Sequence, residues 1–340
     1  MQIPSITFCD SRSITDKVYV DVRAPVEYTN DHIPDAVNYP LLDDEQREYI
    51  GTLYHTRGRD EALMEGIEIV SPKLKPMVSF FSLLSQSSST IIVYCFRGGM
   101  RSESVVSFLN SIGFNLFKLE GGYKAYRQFI RNYLTNYYFT IPVVTVYGLA
   151  GSGKTKILHH NPYSLDLEGC AGNRSSLFGS LGMPDHSQKY FESRIVHILD
   201  TINVWPYCLL EGESRKIGNC HIPPIILEAM QKGIALWLDT PIDVRIQHIY
   251  QEYMPYITEE AIIAIVDKLQ PALGKTKTQY CKQLFCHGKY LEFIQFLLHH
   301  HYDPEYQHSI KNISFTASIN YTEPHDTANT IDALIHSMLQ

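Results

Sequence analysis

No run of about 18 consecutive apolar residues occurs in the chain, so a membrane-spanning helix is not expected. The opening segment, MQIPSITFCDSRSITDK, lacks a basic stretch followed by an apolar core and a small-residue cleavage site, so no secretory leader is expected. The cysteines Cys9, Cys95, Cys170, Cys208, Cys220, Cys281 and Cys286 include no CxxC pair and no regular framework. An odd, irregular set of thiols fits reduced cysteines in a cytoplasmic setting better than disulfides. Positive charge is also in short supply. A formal net charge of −7 excludes a uniformly basic nucleic-acid glove but leaves a local basic face open.

What is present is globular. Apolar residues make up 44% and charged residues 19% of 340, enough for two domains that each bury a core. Residues 17–22 (KVYVDV) and 90–95 (TIIVYC) are short, β-branched and apolar, as buried strands are. A further strand is expected within 113–119, a helix over 123–138, and a loop at the serine run 85–89. A second strand–helix alternation starts near Ile141, with strands at 143–147 (VVTVY), 207–210 and 234–238. From about Val244 the pattern is mostly helical, clearest at 291–298. Strands separated by helices predict parallel sheets in an α/β fold, with domains at 1–137 and 138–340.

The segment Tyr94-Cys95-Phe96-Arg97-Gly98-Gly99-Met100-Arg101-Ser102 lies between an apolar strand and a helix-like run at 102–109. Loop N–H groups, a helix N-terminus and Arg97 with Arg101 all favour a thiolate at Cys95. Gly98 and Gly99 let the loop curl around an anion. A C-x5-R loop serves cysteine phosphatases and sulfur carriers alike. The upstream residues decide. Asp21-Val22-Arg23-Ala24-Pro25-Val26-Glu27-Tyr28 and His32-Ile33-Pro34-Asp35-Ala36-Val37-Asn38 resemble the rhodanese motif, which makes the first domain rhodanese-like. Asp21 and Arg23 are expected to close a strand end as paired charges.

Gly148-Leu149-Ala150-Gly151-Ser152-Gly153-Lys154-Thr155 matches G-x4-G-K-[ST] directly after a strand, a phosphate-binding P-loop. Its glycines and Ser152 would expose N–H groups to phosphate, Lys154 would supply charge, and Thr155 could hold Mg²⁺. The partner acid is open among Glu211, Asp239, Asp166 and Glu168. Gly274-Lys275-Thr276 has Leu269 in place of the leading glycine and is read as loop.

These two motifs in one chain, with Gly121-Gly122-Tyr123-Lys124-Ala125-Tyr126-Arg127, Leu167-Glu168-Gly169, Phe178-Gly179, Ser187-Gln188-Lys189-Tyr190-Phe191-Glu192, Glu213-Ser214-Arg215-Lys216-Ile217-Gly218 and Tyr302-Asp303-Pro304-Glu305-Tyr306, resemble the bacterial tRNA 2-selenouridine synthase family over nearly the whole length. The resemblance implies geranylation of wobble 2-thiouridine in tRNA by geranyl diphosphate, then replacement by selenium from selenophosphate. It implies no tightly bound cofactor, with Mg²⁺ as an optional aid. The enzyme that makes selenophosphate is an implied partner, and no membrane is involved. Cys95 would handle selenium through a transient perselenide, with Arg97 and Arg101 on the donor's phosphate. The P-loop residues Gly148, Gly151, Ser152, Gly153, Lys154 and Thr155 would hold the diphosphate. Glu168, Arg174, Glu211, Glu213 and Arg215 would form a second-domain site. Three departures stand out: Phe96 replaces the family's tryptophan, Asn173 and Ser175 fall in its A-N-H-R-G-S stretch, and Gly212 replaces an acid of E-D-E-S-R.

Lys118, Tyr123, Lys124, Arg127 and Arg131 are the candidate tRNA contacts, with basic groups for phosphates and aromatics for unpaired bases. The alternative for that helix is a solvated face with its tyrosines packed inward. His299, His300 and His301 point in different directions from a helix and are read as surface residues. Two other functions compete: a P-loop small-molecule kinase with a regulatory rhodanese domain, and a sulfur-relay protein.

Overall fold

The β-branched segments become strands of two separate parallel sheets in the computed structural model, which describes residues 3–176 and 178–339. The chain divides into one unit of Met1–Asn136 with Glu192–Arg194 and another of Tyr137–Phe191 with Ile195–Gln340.

In the first unit, β1 (Ser5–Ile6), β2 (Lys17–Asp21), β3 (Val37–Asn38), β4 (Thr90–Tyr94) and β5 (Leu116–Leu119) lie in the order β1-β5-β4-β2-β3. All neighbours are parallel. Val20, Val93, Phe81, Val106 and Leu109 join strands to helices in one core, and Cys95 belongs to it. At the strand end Arg23 Nη2 meets Asp21 Oδ2 at 2.6 Å, both buried, and donates to the Asp31 carbonyl at 2.7 Å. Burying that pair is tolerable because each group is hydrogen-bonded. The sequence expectation for Asp21 and Arg23 holds.

In the second unit, β6 (Val143–Tyr147), β7 (Ser164–Leu165), β8 (Cys208–Glu211), β11 (Ile234–Asp239) and β12 (Ala317–Asn320) form a sheet in the order β12-β11-β6-β8-β7, while β9 (Lys216–Ile217) and β10 (Cys220–His221) make a small antiparallel ribbon. The main sheet is parallel throughout. Successive strands fan out to both sides of β6, so the loop after β6 opens at the crevice where such folds bind ligands. Helices over 242–310 have their own core, including Ile262, Val266, Leu284, Phe293 and Leu298.

The α/β expectation is met, with several local differences. The serine run is no loop up to Ser87, because the helix Leu74–Ser87 carries through it. Gly274 caps the helix Lys275–Cys286, so the Gly274-Lys275-Thr276 segment begins a helix rather than lying in a loop. The helical C-terminal stretch is interrupted by β12, whose polar, four-residue sequence ASIN gives little strand signal. His299 and His300 are exposed, but His301 is buried on a π-helical turn, with Nδ1 at 3.3 Å from Glu305.

Candidate active sites

Cys95 is 4% exposed at the end of β4, with Sγ at 3.2 Å from Ser102 Oγ. The loop is held from outside. The Tyr123 and Lys124 N–H groups donate to the Cys95 and Phe96 carbonyls, each at 2.9 Å. This close approach needs Gly122, where a Cβ would stand 2.2 Å from the Cys95 carbonyl oxygen. Tying the carbonyls outward leaves loop N–H groups to turn inward, as an anion site requires. Arg101 Nη1 reaches Glu27 Oε2 at 3.0 Å, and the same oxygen accepts from the Ala24 N–H at 3.3 Å. Glu27 therefore orients the loop arginine, a role its place in the motif did not disclose. Arg97 is exposed, its guanidinium 5.9 Å from the Phe96 ring centroid.

The P-loop is restrained by the same device. Arg245 Nε donates to the Ala150 carbonyl (2.9 Å), His248 Nδ1 to Gly151 (2.9 Å) and Thr240 Oγ1 to Ser152 (2.9 Å). Gly151 and Gly153 have φ of 75° and 92°, the left-handed region that glycine enters freely. The buried Ser152 hydroxyl has no hydrogen-bond partner among the described residues, which suits a loop built for an anion. Lys154 Nζ donates to the Gly148 carbonyl at 2.8 Å. Burial opposes the Lys154 charge, but Tyr306, Glu213, Glu168 and Glu211 outweigh it and hold the ammonium above its usual range.

Of the four candidate partner acids, the fold brings Glu168 and Glu211 to the P-loop threonine. Thr155 Oγ1 lies 3.0 Å from Glu168 Oε2 and 3.1 Å from Glu211 Oε2. Ligand atoms of Glu168, Glu211 and Glu213 all fall within 4.8 Å of one another. Asp239 is exposed, and Asp166 instead caps the helix Leu167–Ala171. Burial, then mutual repulsion, raises Glu211 well above the carboxylate range; burial and Glu213 push Glu168 up to about 8. Burial raises Glu213 as well, against the pull of Lys154. Hard oxygen donors at this spacing fit a divalent cation such as Mg²⁺.

A cavity of about 1150 Å³ opens from the P-loop. Its lining combines polar residues, Ser152–Thr155, Glu168 and Glu213, with apolar ones, Phe178, Ile249, Ile257, Phe293 and Leu297. Arg174 and Arg215 also line it, but Arg174 is committed to Glu252 at 2.6 Å while Arg215 is exposed. Gly212 lies against Tyr147, whose ring a Cβ there would meet at 2.2 Å.

The proposed tRNA contacts divide. Lys124 and Arg131 are exposed. Lys118 pairs with Glu103 at 2.6 Å. Arg127 and Tyr123 require correction as surface groups: both are buried, Arg127 lies 3.5 Å from Asp31, and Tyr123 donates to Asp31 at 2.8 Å. The helix Gly122–Asn136 turns those positions inward. Arg245 and His248 escaped sequence reading, and Tyr306 was seen only as part of a family-like motif, since nothing local joins these residues to a loop about 95 to 158 residues away.

Two family models match: "Rhodanese-like domain" over residues 10–129 and "tRNA 2-selenouridine synthase AAA domain" over residues 141–329. Among curated relatives, the tRNA 2-selenouridine synthase of Shewanella frigidimarina (strain NCIMB 400) is 30% identical over 88% of this chain and 90% of its own length. That of Shewanella halifaxensis (strain HAW-EB4) is 31% identical over 87% and 90%. The Nitrosomonas europaea protein of the same name is 34% identical over 71% and 64%. With one family model spanning more than half the chain, and relatives aligned along most of it, the chain belongs to the tRNA 2-selenouridine synthase family.

Proposed function

We propose that this chain, as an enzyme of its family, converts wobble 2-thiouridine in tRNA to 2-selenouridine in two stages. In the first, the thiouridine sulfur displaces diphosphate from geranyl diphosphate. Alkylation turns a poor leaving group into a better one. In the second, selenium from selenophosphate bonds to the base carbon as geranylthiol leaves, and water cleaves the selenium–phosphorus bond to release phosphate; Cys95 takes part in that step with Arg97 and Arg101 on the donor's phosphate.

The observation that carries this reading is the composition of the cavity, which is lined both by the P-loop and by a set of large apolar side chains. A nucleotide kinase needs its wall to take a base and sugar. A prenyl diphosphate needs an anion cradle joined to a greasy slot, which is what these residues offer. Lys154, Ser152 and the loop N–H groups stabilise charge building on the departing diphosphate. Glu168, Glu211 and Glu213 beside Thr155 would hold a divalent cation, whose chemistry would be to neutralise diphosphate next to three acids. Family membership disfavours the kinase and relay alternatives. Seven free cysteines suit a reducing, cytoplasmic setting, where selenophosphate and its producing enzyme would be met. Among the described residues no helix is long and apolar enough to cross a membrane.

The test is nucleoside mass spectrometry on 2-thiouridine tRNA with purified protein, adding geranyl diphosphate and selenophosphate singly and together. Lys154→Ala should lose the geranylated intermediate, and Cys95→Ala should lose selenation. Unchanged tRNA with folded wild-type protein under every condition would refute the reading.

A further inference from the structure

Tyr306 lies on the helix Asp303–Ile310 and lines the cavity at its phosphate end. Its oxygen accepts from the Gly148 N–H at 3.1 Å, while the carbonyl of the same Gly148 accepts from Lys154 Nζ at 2.8 Å. Lys154 Nζ stands 5.6 Å from the centre of the Tyr306 ring. The phenol and the P-loop lysine thus meet at one residue, the first glycine of the loop.

A phenol has one proton to give, and among the described residues nothing accepts the one on Tyr306. Gly148 uses only its lone pair. Burial raises the Tyr306 pKa while Lys154 opposes it, so the hydroxyl keeps its proton at neutral pH. An uncommitted donor that lines the cavity beside a lysine and an anion loop is placed to serve an acceptor bound there.

The helix is held in place independently of that hydroxyl. Arg245, 3% exposed, donates through Nε to the Ala150 carbonyl and grips both Asp303 oxygens, at 2.5 and 3.1 Å. One guanidinium therefore ties the P-loop backbone to the first turn of the helix that carries Tyr306. Tyr306 is aimed by this clamp.

We infer that the Tyr306 hydroxyl is a further phosphate donor of this site, giving its proton in a hydrogen bond to an oxygen of the bound diphosphate. The inference rests on the diphosphate reading above. In the transfer the sulfur–carbon bond forms and the carbon–oxygen bond breaks with its electron pair staying on diphosphate. The thiouridine ring proton goes to water. The Tyr306 hydrogen bond strengthens as that oxygen gains charge, so it favours departure as well as binding.

Tyr306→Phe removes the hydroxyl and keeps the ring. Binding of inorganic diphosphate would be measured by calorimetry for wild type, Tyr306→Phe and Asp303→Asn, alongside thermal melts and the kcat and KM of geranyl transfer. A hydrogen bond to a charged acceptor predicts that Tyr306→Phe weakens diphosphate about tenfold or more and lowers kcat/KM similarly. Asp303→Asn should lower the melting temperature more than Tyr306→Phe does, because it loosens the clamp. If Tyr306→Phe binds diphosphate and turns over like wild type, the assignment is overturned while the diphosphate reading stands. If Tyr306→Phe is destabilised as much as Asp303→Asn but keeps full affinity below its transition, the hydroxyl is a structural group and the assignment again fails. A wild type that binds no diphosphate overturns the diphosphate reading itself.

Discussion

The Cys95 sulfur and the Ser102 hydroxyl lie 3.2 Å apart, and the same hydroxyl is 3.2 Å from the Gly99 carbonyl. Ser102 is fully buried, so its single proton chooses between these two acceptors. A neutral thiol leaves it on the carbonyl; an anionic sulfur draws it across. Ser102 would then steady the charged form of Cys95 during the selenium step. Ser102→Ala should slow selenation about tenfold, the loss expected for one hydrogen bond to a charged group, and Cys95→Ala should abolish it. Geranylation by the other unit should be unaffected in both. A Ser102→Ala protein with the wild-type selenation rate and pH profile would show that the contact is only packing.

The three clustered glutamates, of which Glu168 and Glu211 are buried, give a pH dependence with a definite sign. Glu168 moves from an ordinary 4.5 to about 8 in the folded protein, so over that window the folded state holds a proton that the unfolded chain has released. The unfolded state binds fewer protons, and stability falls as pH rises. It is fully retained below about 4.5 and the loss is complete above about 8. Melting in chelator should drop by at least about 3 °C across this range. Mg²⁺ takes the place of the protons and should restore more at the alkaline end. Glu168→Gln should flatten the slope. A flat profile for wild type, or equal Mg²⁺ effects at both ends, would remove the cluster from consideration as a cation site.

Gly212 departs from the acid found in the family motif, and Tyr147 fills the space such a side chain would need. A Cβ at 212 would stand 2.2 Å from Tyr147 Cδ1 and 2.6 Å from Cε1. Gly212→Asp should therefore destabilise the protein by about 1–3 kcal/mol, the usual cost of overpacking. Combining it with Tyr147→Ala should cost less than the sum of the two single changes, because the smaller residue makes room. Additive losses by chemical denaturation would mean that the two positions do not compete.

The large apolar side chains of the cavity should matter to a prenyl chain and not to the phosphates. Ile257 lines the cavity and packs on the helical core from a partly buried position, so its replacement need not break the fold. Ile257→Asn should weaken geranyl diphosphate about tenfold, the order expected for losing a buried aliphatic contact. Inorganic diphosphate should bind as before. Equal losses for both ligands would point to a disturbed P-loop instead.

Both anion loops were legible because their chemistry is local: nine residues around Cys95 and eight from Gly148 carry strand, glycines and charges in fixed order. The groups that position them were not. Glu27 is 74 residues from Arg101, and Arg245 is 95 from Ala150. Only folding joins them. The choice of Glu168 and Glu211 over Asp239 likewise depends on folding, because β8 and β11 both flank β6 and only the approach of Glu168 and Glu211 to Thr155 separates the candidates. Burial of Arg127 was hidden for a different reason. Its partner Asp31 belongs to another helix end, and a basic residue flanked by tyrosines looks the same on paper whether it faces water or the core.

That distinction decides which basic residues should meet tRNA. Lys124 and Arg131 stay exposed on the helix Gly122–Asn136, whereas Arg127 is buried and paired with Asp31 and Glu192. Phosphate contacts release counterions, so each lost contact lowers the slope of log affinity against log salt by about 1. The Lys124→Ala and Arg131→Ala double variant should bind tRNA more weakly at low salt, with a slope reduced by about 2, and melt like wild type. Arg127→Ala should behave oppositely. It leaves a buried carboxylate without its cation, which costs about 3–5 kcal/mol, and its effect on tRNA should follow from unfolding alone. Binding measured by filter retention over a salt series separates the two cases. An unchanged slope in the double variant would move the tRNA surface away from this helix.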